Sequence, residues 1–243
     1  MFGALGDIHG AFDSARAVVA RHPDVPFWLC VGDIANDPST WLGAGAGYES
    51  LGARVYWIHG NNDNFDAIAA GDLPADLIHI ANGIPIEIAG PEGPAPRGLR
   101  VAGLGGTFAP TWYDTPASEL PWPVPRGLQT PGRPRVRDDK RRHFVREEVE
   151  ACKQLHGIDI LLTHEAPKPF RAFPGGRGPD AGKAQINEVL AAMQPRLHLF
   201  GHHHRYSDDV REGVRSVGLD LVSRSYLLID ADDLQIQLHT LKY

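Results

Sequence analysis

The chain has 243 residues, with 24 Lys and Arg against 30 Asp and Glu, a net charge of −6, and 42% hydrophobic and 22% charged residues. This composition excludes a largely disordered chain and a uniformly basic coat for nucleic acid, and the length fits one α/β domain, residues 1–243, with a sizeable core. The opening MFGALGDIHG has neither a basic leader nor a long apolar stretch, and no run approaches the ~18 apolar residues of a membrane span, so a cytoplasmic protein with no membrane partner is expected.

Taken in chain order, the first predicted element is a strand over Phe2 to Leu5, followed by a helix in which Phe12, Ala15 and Val19 share one face. Phe27 to Val31 reads as a second buried strand, and Cys30 within it as a buried thiol rather than a disulfide partner. Val55 to Ile58 is a third strand. From Pro85 to Pro134 lie 11 of the 20 prolines, so irregular loops are expected there, part of an elaboration spanning roughly residues 85–146. Val145, Val149 and Cys152 mark a helix face, Ile158 to Leu162 a strand, Ile186, Val189, Leu190 and Met193 a further helix, and Leu197 to Phe200 a strand. Val214 to Val217, Tyr226 to Ile229 and Ile236 to Leu241 read as closing strands. Strands alternating with helices make an α/β protein.

Chemistry enters at the ends of five of these runs. They finish in Gly6-Asp7-Ile8-His9, Gly32-Asp33-Ile34-Ala35-Asn36, His59-Gly60-Asn61-Asn62-Asp63, Thr163-His164 and Gly201-His202-His203-His204. Ligands gather outside the carboxyl ends of strands in α/β sheets, so residues scattered in sequence can converge there. Alternation along extended backbone would put Asp7 with His9, and His202 with His204, on one side, His203 pointing away. A glycine before each pair suits backbone that crowds a site. Singly, each fragment is more commonly a turn or a helix cap. Together they form an oxygen and nitrogen donor set without thiolate, which suits divalent Mn, Fe or Zn, and a bridging carboxylate would let two ions sit about 3.5–4 Å apart.

The ordered set GDIHG, GDIAN, GNND, LLTHEAP and GHHH resembles the calcineurin-like metallophosphoesterase superfamily, over Gly6 to His204. The resemblance implies a four-layer α/β/β/α sandwich with two facing mixed β-sheets. It implies two divalent ions, with manganese expected for activity: Asp7, His9, Asp33 and His204 around one; Asp33, Asn61, His164 and His202 around the other. Asp33 bridges, and a metal-bridged hydroxide would attack phosphorus. Many members place a proton-donating histidine after the ligand asparagine, steadied by an aspartate three residues past the bridging one. Here those positions are Asn62 and Asn36. As the catalytic position, Asn62 can hydrogen-bond a phosphate oxygen but is no general acid, so substrates with good leaving groups, or a proton from water or His203, are expected.

Protein phosphatases usually carry arginine where Asp37 stands, which turns the expected substrate toward phosphodiesters or nucleotides. The basic stretch from Arg126 to Arg146 holds eight of the 24 Lys and Arg, with Trp112, Tyr113 and Trp122 upstream. It reads either as a grip on a nucleotide or single-stranded nucleic acid, or as a charged helix face with aromatics under a loop. The layout from Gly103-Leu104-Gly105-Gly106 to His164 is similar to RNA lariat debranching enzymes, although these have cysteine at the Asp7 position and histidine at that of Asn62. A phosphomonoesterase, or a metal-binding scaffold of the same fold with little catalysis, are the alternatives. P-loop, G-x-S-x-G and G-x-G-x-x-G patterns are absent from the sequence.

Overall fold

The computed structural model describes residues 1–35, 47–89, 98–117, 141–173 and 178–241. Two six-stranded sheets face one another. The first has the order β12-β11-β1-β2-β3-β4, built from β1 (Phe2–Leu5), β2 (Trp28–Cys30), β3 (Val55–Trp57), β4 (Leu77–His79), β11 (Ser225–Ile229) and β12 (Ile236–Thr240). The second runs β5-β6-β7-β8-β10-β9, from β5 (Ile86–Ile88), β6 (Leu99–Leu104), β7 (Ile160–Thr163), β8 (Leu197–Phe200), β9 (Ser207–Arg211) and β10 (Val214–Gly218). Both are mixed: β1 to β4 are parallel with β11 and β12 antiparallel, and β6, β7, β8 and β10 are parallel between antiparallel edges β5 and β9.

The strands read as continuous apolar runs because both faces are covered. Phe2, Ala4, Leu29, Leu227 and Ile229 of the first sheet meet Val101, Ile160, Leu162, Leu199 and Val217 of the second, forming the middle of the core. The alternate residues Leu5, Trp28, Trp57 and Leu228 face outward onto helix α1 (Phe12–Ala20), whose Phe12, Ala15, Val18 and Val19 supply the buried stripe, and onto Ile68 of α2 (Phe65–Ala70). On the far side, Ala102, Leu104 and Leu161 pack against Val149 and Cys152 of α3 (Arg146–Lys153) and Ile186, Val189, Leu190 and Met193 of α4 (Ala184–Met193). Helix α4 stops where Gln194 takes a left-handed φ of 49° before Pro195. The result is the expected α/β/β/α sandwich, and Cys30 is a buried free thiol.

One expectation is corrected. The proline-rich region is not simply irregular: β5 lies within it, and β6 is an interior strand of the second sheet, paired to β5 and β7. The prolines bracket these strands, and their brevity hides the alternation. Residues 90–97 and 118–140, which carry most of the basic segment and Trp122, lie outside the described residues, as do Asn36 and Asp37. No helix among the described residues is long and apolar enough to cross a membrane.

A buried histidine makes the fold acid-sensitive. His198 on β8 is fully buried. The Thr163 hydroxyl donates to Glu165 O at 2.6 Å, so its oxygen accepts from His198 Nε2 at 2.8 Å, and Nδ1 meets Ser216 Oγ at 3.1 Å. Both ring nitrogens of the neutral form are satisfied, and burial pushes the imidazole down to about 3. The folded value lies below that of the unfolded chain, so stability is full above pH ~6.5 and is lost as pH falls from there toward 3. At pH 5 this one residue is expected to cost about 2 kcal/mol relative to pH 7. Urea melts of wild type and His198→Asn at the two pH values check it: the wild type should lose more stability on acidification, and equal losses would contradict it.

Candidate metal centre

Five strand ends deliver the predicted residues to one edge of the sandwich: β1, β2 and β3 from the first sheet, β7 and β8 from the second. Asp7 and Asp33 are each 1% exposed and His164 is fully buried. Asp7, His9 and His204 bring ligand atoms within 4.8 Å of one another, and so do Asp33, His164 and His202. His204 Nε2 lies 3.1 Å from Asp7 Oδ2 and 3.0 Å from His9 Nε2, and His9 Nε2 reaches Asp33 Oδ2 at 3.7 Å. In the second group, His164 Nε2 is 3.4 Å from the same Asp33 oxygen and 3.1 Å from Asn61 Oδ1. All seven residues expected as ligands therefore meet, with Asp33 common to both groups.

The backbone achieves this differently from the expected alternation. His9, Asp33, His202 and His204 have φ of 46°, 49°, 69° and 47°, four of the seven non-glycine residues with positive φ among those described. Such conformations cost about 1–3 kcal/mol each and cluster where function demands them. The turns rather than an extended pleat aim the side chains, which is why His202 and His204 serve different groups. His203 turns to other partners: its ring stacks on Phe170 with centroids 4.8 Å apart, and its Nε2 lies 3.7 Å from Glu165 Oε2. The crowding glycines are as expected. A Cβ on Gly60 would collide with the Asp33 carboxylate, and one on Gly201 with that of Asp7.

The charge balance fits cations. Among the described residues no Lys or Arg pairs with Asp7 or Asp33; the titratable groups that pair with them are histidines. His164 Nδ1 donates to Val31 O at 2.8 Å, which turns the lone pair of Nε2 toward Asp33 and the Asn61 oxygen. In neutral His164 that lone pair faces the Asn61 oxygen at 3.1 Å, acceptor against acceptor, which a proton on Nε2 or a cation between them would relieve. Burial opposes charge on both Asp33 and His164, yet their mutual attraction outweighs it, holding Asp33 well below the usual carboxylate range and raising His164 to about 10. That proton is the counter-charge an ion would replace. Burial, then the His164 charge, lowers His202 to about 2, a free imidazole ready to coordinate.

Asn62 sits on the shared carboxylate: its backbone N–H donates to Asp33 Oδ1 at 2.7 Å and its amide Nδ2 to Oδ2 at 2.9 Å. Burial and Lys183 lower His203 to about 4, leaving it a neutral ring at pH 7 and a poor proton source. Of the aromatic and basic residues upstream of α3, Tyr113 is buried with Phe144 beneath Arg146, whose guanidinium lies 4.5 Å from the ring, and Arg141 pairs with Asp66 at 2.9 Å. These described members belong to the packing.

Sequence reasoning passed over Asp63. It is 5% exposed and accepts backbone N–H groups of Asp33, Gly60, Ile34 and Ala35 at 2.7–3.1 Å, so one carboxylate staples the turn after β2 to the turn after β3. Burial and the Asp33 charge push it up to about 6. The signal present was an acid directly after the Asn61-Asn62 pair; three of its four backbone partners lie 28–30 positions earlier.

Carboxylate, imidazole and amide donors gathered at the strand ends of a two-sheet sandwich define a metal-dependent phosphoesterase. The chain belongs to the calcineurin-like phosphoesterase family, whose model matches residues 1–206. It is 25% identical to an uncharacterized protein of Haemophilus influenzae, over 94% of this chain and 96% of that one. It is also 25% identical to mouse CWF19-like protein 1 over 80% of this chain, spanning 34% of that longer protein. Among solved structures, TT1561 of Thermus thermophilus superposes with a TM-score of 0.59 at 13% identity, covering 98% and 97% of the two chains, a likeness of fold.

Proposed function

We propose that the chain is a dinuclear metallophosphoesterase acting on a phosphodiester or nucleotide-type substrate. The observation that carries this reading is the pair of donor groups sharing Asp33. Asp7, His9, Asp33 and His204 would hold one ion, and Asp33, Asn61, His164 and His202 the other. A pair of divalent ions, manganese foremost, would supply a nucleophile from water and neutralise the phosphate oxygens. The chain itself supplies position: Val31 O fixes the His164 tautomer, and Asn62 clamps both oxygens of Asp33.

At the position that would carry an acid, the chain has an amide. Asn62 stands where a proton donor would be useful, and its amide is engaged on Asp33. A departing alkoxide must therefore leave as an anion or take its proton from solvent. Over a panel of aryl and alkyl phosphate esters with Mn²⁺, rates are expected to fall steeply as leaving-group pKa rises, with poor leaving groups about 10²- to 10⁴-fold slower than an acid-assisted site would allow. A flat profile would contradict this. Activity no greater than that of an Asp33→Ala control would favour the scaffold reading, for which the missing acid is the supporting observation.

A further inference from the structure

A cavity of about 290 Å³ opens on the helix-bearing side of the second sheet, between the segment after β7 and strands β9 and β10. Pro169, Phe170, Arg171, Arg205, Asp209 and Arg211 line it. Arg205 directly follows His204, and Phe170 stacks on His203, so two lining residues of the cavity adjoin the histidine turn of the metal centre.

Three guanidiniums against one carboxylate leave a local excess of two positive charges in a chain of net charge −6. Asp209 is spent on Arg211, at 2.7 Å. Among the described residues neither Arg171 nor Arg205 has a carboxylate partner; both bond to backbone carbonyls, Arg171 to Gly178 at 2.7 Å and Arg205 to Arg171 and to Phe173 at 3.2 Å. A guanidinium carries five N–H donors, and these bonds use one or two of them. The carbonyls thus act as struts that hold the forks at the cavity wall. Phe170 and Phe200 are only 6% and 2% exposed, which leaves little ring face for stacking and favours an oxyanion over an aromatic ligand.

The geometry points to a phosphate-type anion site here, beside the metal centre and distinct from it, which receives either a second phosphate of the substrate or free phosphate. The first of these rests on the phosphoesterase reading; the site itself does not. Isothermal titration of inorganic pyrophosphate into chelator-treated protein separates the two. Wild type is expected to bind, while Arg205→Ala and the exposed Arg171→Ala each bind about tenfold more weakly, and Arg16→Ala on α1 binds like wild type. Melting curves confirm that each variant is folded. Equal affinity in wild type and both cavity variants, or no binding by wild type at millimolar pyrophosphate, overturns the site. With Mn²⁺ restored, a raised KM of Arg205→Ala for a nucleoside diphosphate but not for p-nitrophenyl phosphate supports the site and assigns it to the substrate. Unchanged KM for both, with weakened pyrophosphate binding, supports it as a free-phosphate site. A chain that binds pyrophosphate yet hydrolyses neither compound, nor any phosphodiester with Mn²⁺, sinks the phosphoesterase reading and leaves the anion site standing.

Discussion

Asp33→Ala is expected to lower phosphoester hydrolysis by about 10³-fold or more while leaving the protein folded. Its carboxylate lies within reach of His9 and His164, one from each donor group, so on the two-ion proposal its loss would weaken both sites at once. The fold should survive because the removed group is a buried charge. Without an ion its partners are imidazoles and the Asn62 N–H groups, with no Lys or Arg partner among the described residues, and its departure relieves the repulsion that raises Asp63. Metal analysis after gel filtration, beside a thermal melt, checks both halves. Retention of two ions per chain would refute the shared-ligand arrangement, and a collapsed melt would refute the separation of site from fold.

Asp63→Ala is expected to do the reverse, destabilising the chain by about 3–5 kcal/mol, or about 10 °C in Tm, before any effect on chemistry is considered. Four backbone N–H groups from two turns would lose their acceptor in a site almost without water. Asp63→Asn should fall between, since one oxygen remains while the new NH₂ faces either the Asp33 and Gly60 donors or those of Ile34 and Ala35. Urea titration of the three proteins tests the order. An alanine variant as stable as wild type would mean that solvent replaces these bonds.

The difference between these two aspartates marks how far the sequence could be read. Asp33 ends an apolar run after a glycine, and four other runs end in donors of the same kind, so the convergence was legible before any coordinates. The layers were legible too, because strands covered on both faces, such as Leu197 to Phe200, stand out as unbroken apolar stretches. Edge elements did not stand out. β9 carries Ser207, Asp208 and Asp209 and is largely exposed, and α2 buries none of its residues, so neither leaves a hydrophobic period to find. Backbone handedness was also invisible, since nothing in a histidine announces a φ of 69°. Asp63 and the arginine cavity draw on partners distant in the chain, which spacing alone does not bring together.

The pairing of β1 with β11, Phe2 opposite Ile229, has a consequence for biogenesis. Strand β1, which Asp7 closely follows, leaves the ribosome long before β11, its neighbour on one side. Every candidate ligand is translated by His204, yet β1 keeps an unpaired flank until β11 emerges. The nascent polypeptide must therefore guard a sticky border while the residues between β1 and β11 are made.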